Sequence, residues 1–214
     1  MVLILASELA ERLDFTKTKV ENRSIVDDTL RDLVSDMVFT VPFRDDTLRD
    51  DLTIYILLEH QSTVDHLMGY RMLSYMCQIW HGQLQEQKNA KAPVSQWRLR
   101  PILPIVFYTG EQQWQLPISL SVAMDLPELM TRFVPTHETL LLDVKNETIH
   151  TFTEADHPFA LLMIVLKQEN ADEKTLHEAL AAALAYLENL ATENPELHKH
   201  AILYLHYLVF FYTP

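Results

Sequence analysis

The sequence predicts an α/β fold in the order helix, three strands, helix, strand, followed by a helical C-terminal region. Three observations predict it. Residues 37–43 (MVFTVPF), 52–58 (LTIYILL) and 101–108 (PILPIVFY) are apolar, β-branched and aromatic over strand-sized lengths. Between the last two runs, Val64, Met68, Met72, Tyr75, Met76 and Ile79 recur every three or four residues, the period of an amphipathic helix. From residue 158 onward the pattern is mostly helical.

Taken in order, residues 2–12 read as the end of a helix, and residues 13–20 (LDFTKTKV) alternate as a strand with Leu13, Phe15 and Val20 marking its faces. Residues 24–33 form a turn or short helix before the strand at 37–43, whose mouth holds Asp36 and whose end holds Pro42. Residues 44–51 (RDDTLRDD) suit a solvated, somewhat long hairpin connection. The amphipathic helix extends to about residue 87, with Ser62 or Thr63 as its N-cap and Asp65 in its first turn. Residues 88–100 (KNAKAPVSQWRLR) contain Pro93, show no period and read as a loop; they are also the one purely basic stretch. After the strand at 101–108, Gly110, one of three glycines, is expected in a turn requiring φ > 0. A strand from Leu140 and helices at 158–167, 173–190 and from Pro195 complete the chain, with Leu176, Leu180, Ala183, Leu184 and Leu187 as a core stripe. The expected organisation is an α/β domain over residues 1–150 and a helical extension over residues 151–214.

At 214 residues, 48% hydrophobic and 22% charged, the chain can bury a real core. The single cysteine, Cys77, excludes an internal disulfide framework and fits a reducing compartment; a cytoplasmic location is expected, with Cys77 as a buried, inert thiol. The longest apolar runs fall short of the roughly 20 residues of a spanning helix, and residues 1–5 lack the basic flank of a signal peptide. Neither a membrane partner nor secretion is expected. The net charge of −13 argues against a protein that coats nucleic acid through its overall field. Residues 1–110 hold 12 Lys and Arg against 15 Asp and Glu (12 − 15 = −3), whereas residues 111–214 hold 5 against 15 (5 − 15 = −10), so a polyanion would meet the first half.

The run IYILLEHQS ends in Glu59, His60 and Gln61. A carboxylate at the end of a buried strand loses hydration, at a cost of several kcal/mol unless a metal, a cation or donors replace the water. If the strands at 37–43 and 52–58 pair antiparallel, Asp36 and Glu59 fall at the same end of the sheet. Two such carboxylates repel unless one is protonated or a cation sits between them, and hard oxygens at an open edge suit Mg²⁺. Gln61, two residues on, shares the face of Glu59. The set follows the logic of metal-dependent phosphodiester hydrolysis, in which the carboxylates hold the metal and the third polar group orients a water. His60 points to the opposite face as a core or helix-contacting histidine. Arg71 and Tyr75, at i and i+4, either face the site, the Arg reaching a scissile phosphate, or pack as a surface Arg on an aromatic. Lys88, Lys91, Arg98 and Arg100, with Trp97 among them, either grip a DNA backbone beside the sheet edge or form a solvated loop.

The strings LRDLVSDMVFTVPF, YILLEHQSTVDHLMGYRMLSYMCQIW and LRPILPIVFYTGEQQW together resemble the Rpn family, the recombination-promoting nucleases also described as YhgA-like transposases, over roughly residues 9–143. Glu59 to Ser62, then Asp65, Met68, Arg71 and Tyr75, then Pro104 to Gly110 and Trp114 occur in the family's order. The resemblance implies a PD-(D/E)XK restriction-endonuclease-like αβββαβ core, in agreement with the element order above. It implies a DNA endonuclease of a recombination-promoting or transposase type, with Asp36 and Glu59 as metal ligands and Gln61 at the position that is Lys elsewhere in the superfamily. Mg²⁺ is the implied cofactor, with Mn²⁺ or Ca²⁺ as substitutes, DNA is the implied partner, and a homo-oligomer is allowed for. A neutral Gln61 can orient a water but cannot supply the charge of a Lys. Family members usually begin with a further segment, so a chain truncated at its amino terminus is expected. The competing reading is a catalytically decayed relative serving as a DNA- or protein-binding module, which the acidic carboxyl half would suit.

Overall fold

The computed structural model describes residues 9, 11–21, 36–44, 53–150, 158–168, 170–195, 198–199 and 202. Among them, five strands form one sheet in the order β1 (Lys19–Glu21), β2 (Asp36–Pro42), β3 (Thr53–Gln61), β4 (Ile102–Tyr108) and β5 (Leu140–Asp143). The helices are α1 (Met68–Asn89), α2 (Pro158–Lys167) and α3 (Glu173–Glu193). Strands β1, β2 and β3 pair antiparallel, whereas β3 and β4 are parallel, as a strand–helix–strand crossover through α1 requires. The protein is thus α/β with a mixed sheet. Two compact units are present: one runs to Tyr108 and takes up Trp114–Leu142, the other gathers Thr109–Gln113 and the chain from Asp143. No helix among the described residues is long and apolar enough to cross a membrane.

Strand pleating sends Tyr55 and Leu57 to the face covered by α1, where they meet Met68, Met72, Tyr75, Met76 and Ile79 together with Val38, Val106, Tyr108 and Trp114. The three-four spacing of the helix residues is what brings them onto this one face. Tyr108 and Trp114 meet edge to face with ring centroids 5.1 Å apart, a preferred aromatic geometry. The lengths of β3 and β4 follow from the apolar runs, but β3 continues past Leu58 through Glu59 to Gln61, because pairing with β4 extends to Tyr108.

Several expectations are corrected. Residues 13–20 are not one strand: a 3-10 turn at Phe15–Lys17 precedes a strand of only Lys19–Glu21. The helix starts at Met68, later than Ser62 or Thr63 would cap it, and Asp65 precedes it. No described glycine takes positive φ, so Gly110 does not; Lys91 does, at 55°. Cys77 is exposed, not buried. On α3 the buried residues are Ala183, Leu187 and Leu190, while Leu180 and Leu184 are exposed. Most of residues 2–12, all of residues 24–33, most of the 44–51 connection and most of the chain after Pro195 lie outside the described residues.

Gly69 is the glycine that the packing demands. A Cβ there would sit 2.3 Å from the Ser119 carbonyl carbon, 2.5 Å from its oxygen and 2.8 Å from the Leu120 nitrogen, all backbone atoms that cannot rotate away. Gly69→Ala should therefore destabilise the protein by roughly 1–3 kcal/mol or more through overpacking, despite the ~1 kcal/mol that Ala gains over Gly inside a helix. A urea midpoint equal to or above that of the wild type would refute this close approach.

Candidate active site

The alternation that puts Tyr55 and Leu57 under α1 puts Glu59 and Gln61 on the same face. The register sets Asp36 of β2 directly across from Glu59, so the two positions share a face at one end of the antiparallel pair. Glu59 has no exposed surface. Its Oε1 accepts from Gln61 Nε2 at 2.6 Å and from Arg71 Nη2 at 2.7 Å, while its Oε2, also buried, has no hydrogen-bond partner among the described residues. One carboxylate oxygen is saturated and the other is open.

Arg71 joins the strand to the helix. Its Nη1 donates to Asp65 Oδ2 at 3.0 Å, its Nη2 also reaches the Tyr75 hydroxyl at 3.3 Å, and its Nε lacks an acceptor among the described residues. Burial favours loss of its proton, but the hydrogen bonds and charges of Tyr75 and Asp65 outweigh that, and its pKa lies above the usual arginine value. Asp65 has two tasks. Its Oδ1 accepts from the Leu67 N–H at 2.8 Å and its carbonyl from the Met68 N–H at 3.2 Å, which starts α1, while its second oxygen fixes Arg71. Sequence reasoning missed Asp65 as a site residue. Its signal is an Asp shortly ahead of a helix, which by residue type alone reads as a first-turn acid.

His60 points away from this cluster, toward Phe107 on the neighbouring strand, with ring centroids 5.5 Å apart. Burial holds its pKa below 6.5.

The structure brings together Glu59, Gln61, Arg71 and Tyr75, with Asp36 across the register, but not the basic residues. Lys88, Lys91, Arg98 and Arg100 are all exposed at the other end of α1. Their loop is tied back to the helix. Arg100 N–H donates to Gln83 Oε1 at 2.7 Å, Arg98 N–H to Gln87 Oε1 at 2.9 Å, and the Trp80 indole to the Arg100 carbonyl at 3.0 Å. The Trp97 indole donates to the Ala92 carbonyl at 2.9 Å. Among the described residues, no group of three or more His, Cys, Asp or Glu side chains is placed to hold a metal ion; the side chain of Asp36 lies outside that description.

With this geometry in view, the family profile described as "Putative transposase, YhgA-like" matches residues 1–196. The chain belongs to that family. It is 30% identical over 119 residues to the recombination-promoting nuclease RpnD of Escherichia coli O157:H7, covering 54% of this chain and 42% of the relative. It is 28% identical over 107 residues to the recombination-promoting nuclease RpnC of Escherichia coli strain K12, covering 50% of this chain and 32% of the relative. It is 37% identical over 75 residues to the "Putative inactive recombination-promoting nuclease-like protein YjiP" of the same strain, covering 35% of this chain and 69% of that relative. The chain thus spans less than half the length of the two nucleases. No solved structure matches it.

Two outcomes test the cluster. Arg71→Met removes the cation from a carboxylate that has no exposed surface and should cost roughly 3–5 kcal/mol, as breaking a buried pair does. Adding Glu59→Gln to that variant should restore part of the loss, and urea unfolding of the two singles and the double reads the coupling. Full additivity would sink the pairing. For His60 the folded pKa is depressed, so its contribution is fully present above the unfolded value of 6.5 and declines as pH falls below that value toward the folded pKa. The urea midpoint should therefore drop between pH 7.5 and pH 5 more steeply in the wild type than in His60→Phe. Parallel profiles would show that burial does not govern this group.

Proposed function

We propose, on the premise of that family membership, that the chain is a Mg²⁺-dependent DNA endonuclease of recombination-promoting type, in which Asp36 and Glu59 hold the metal and Gln61 orients the attacking water. The proposal includes a PD-(D/E)XK-type core within residues 1–150, a helical extension over residues 151–214 and a cytoplasmic setting suited to the lone thiol of Cys77. The observation that carries it is Glu59, a fully buried carboxylate with one oxygen saturated and the other unpartnered, across the register from Asp36. Formal charge supports it further. Glu59 and Asp65 exceed Arg71 by one negative charge, and Asp36, at the register position across from Glu59, would bring the excess to two, which a divalent cation would balance.

The donor set fits such an ion: Asp36 and Glu59 Oε2 offer hard oxygens, which suit Mg²⁺ and also Mn²⁺ or Ca²⁺. When bound, the metal would lower the pKa of a water and offset charge on the phosphodiester. The chain's own groups do the positioning. Gln61 Nε2 and Arg71 Nη2 fix the Glu59 carboxylate from one side, which leaves Oε2 as its reactive face. With one amide N–H given to Glu59, Gln61 keeps its second N–H and its carbonyl oxygen, and the carbonyl is the atom that can accept a hydrogen bond from the water and orient it. Arg71 and Tyr75 serve first as positioning residues, with the Arg71 Nε left to meet a phosphate oxygen.

A second reading has its own support. Arg71 already neutralises Glu59 without metal, and one relative carries the name "putative inactive", which supports a decayed module that binds DNA or a protein without cutting. Melting temperature separates the two. For a metal that binds only the folded state, millimolar Mn²⁺ at one hundred times its Kd adds about 2.7 kcal/mol. Wild type should show that rise and should nick plasmid DNA. Asp36→Asn should lose both, and Gln61→Ala should keep the rise while cutting far more slowly. Indifference of the wild-type melting temperature to Mn²⁺ would favour the decayed module.

A further inference from the structure

We infer that the exposed basic segment at the C-terminal end of α1 is a docking site for a duplex DNA backbone, separate from the carboxylate cluster and at the opposite end of the βαβ unit. The inference rests on DNA being the partner, as proposed above, but not on cleavage. Residues 87–110 contain Lys88, Lys91, Arg98 and Arg100 and no Asp or Glu, within a chain of net charge −13; Glu86 is the nearest acid in sequence. All four basic residues are exposed, and none of them pairs with a carboxylate among the described residues. Water alone solvates exposed cations well, so their lack of a carboxylate partner costs the fold little. Among the described residues no carboxylate competes with an outside anion for these four.

The segment is also ordered in advance. Gln83, Gln87 and Trp80 of α1 hold the backbone of Arg98 and Arg100, and Arg98 Nη1 donates to the Ser95 and Trp97 carbonyls at 3.1 and 2.8 Å, fixing its guanidinium at the surface. Lys91 is held at φ 55°, a left-handed conformation unusual for lysine. Prior ordering lowers the entropy cost of gripping a ligand.

A ligand that meets both the cations and the carboxylate cluster must bridge the distance between them. Lys88 is seventeen residues beyond Arg71 on one helix, a rise of about 26 Å. Along the sheet, Tyr55 N–H donates to the Pro101 carbonyl at 2.9 Å, and Tyr55 lies four residues before Glu59, about 13 Å away. The cations therefore stand about 15 to 25 Å from the carboxylates. A mononucleotide cannot touch both ends, whereas a duplex rising about 3.4 Å per base pair spans the gap in roughly five to seven pairs.

The test is binding of a fluorescent hairpin with a 14-base-pair stem, in EDTA so that no cleavage occurs, over a series of salt concentrations. Each phosphate contact contributes about −0.9 to the slope of log K against log salt. Changing Lys88, Lys91, Arg98 and Arg100 together to Gln should flatten the slope by about 3 to 4 and weaken binding at least tenfold at low salt. Because Arg98 also braces its turn, the triple variant Lys88→Gln/Lys91→Gln/Arg100→Gln is run beside it and should flatten the slope by about 2 to 3. An unchanged slope in the triple variant overturns the inference, even if the wild type cuts DNA. A flattened slope in a protein that never cuts DNA keeps the inference and removes the nuclease reading.

Discussion

The contact between Glu59 and Arg71 is the constraint on which the rest of this unit depends. A carboxylate with no exposed surface is tolerable only when its partners replace water well, and here both partners of Oε1 lie within 2.7 Å. To meet that condition β3 must run past its apolar stretch to Gln61, and α1 must begin where Arg71 falls on its sheet-facing side. One residue more or fewer before α1 would rotate Arg71 by about 100° around the helix, away from Glu59. Asp65 fixes that phase by accepting from the Leu67 N–H with one carboxylate oxygen and from Arg71 with the other. Gly69 then lets the backbone of Ser119 and Leu120 close against the first turn.

Which parts of this were legible in the sequence follows from the range of the forces involved. The strands at β2, β3 and β4 were legible because apolar, β-branched runs report burial directly, and the helix after Gln61 because its period is carried by six residues. The pairing of Asp36 with Glu59 was legible because an antiparallel hairpin follows from two adjacent strands, and the register bears out that their positions oppose. What could not be read was set by contacts distant in sequence. The start of α1 was misplaced because Ser62 and Thr63 are good caps by residue type, while Asp65 wins by bonding Leu67 and Arg71 at once. Gly110 looked like a turn glycine, yet Gly69 is the one required, because the need arises from a loop fifty residues away. Exposure of Cys77 and Leu184 depends on which helix face is covered, and a stripe of apolar residues does not fix its own width.

The two ends of α1 also answer a question of electrostatics. A helix carries about half a positive charge at its N-terminus and half a negative charge at its C-terminus, so Asp65 ahead of the first turn and Lys88 in the last turn each gain roughly 0.3–1 kcal/mol from the helix alone. That accounts for the placement of one acid and one base without any ligand. It does not account for Arg98, Arg100 or Glu59, because the effect dies away within a turn while Arg98 and Arg100 lie well beyond the helix, and Glu59 reaches the opposite end from a strand. Helix stabilisation thus explains the sign of charge at each end but not its amount. The excess at both ends is the basis of both proposed ligands: cations with no carboxylate partner among the described residues at one end, and a carboxylate oxygen with no described hydrogen-bond partner at the other.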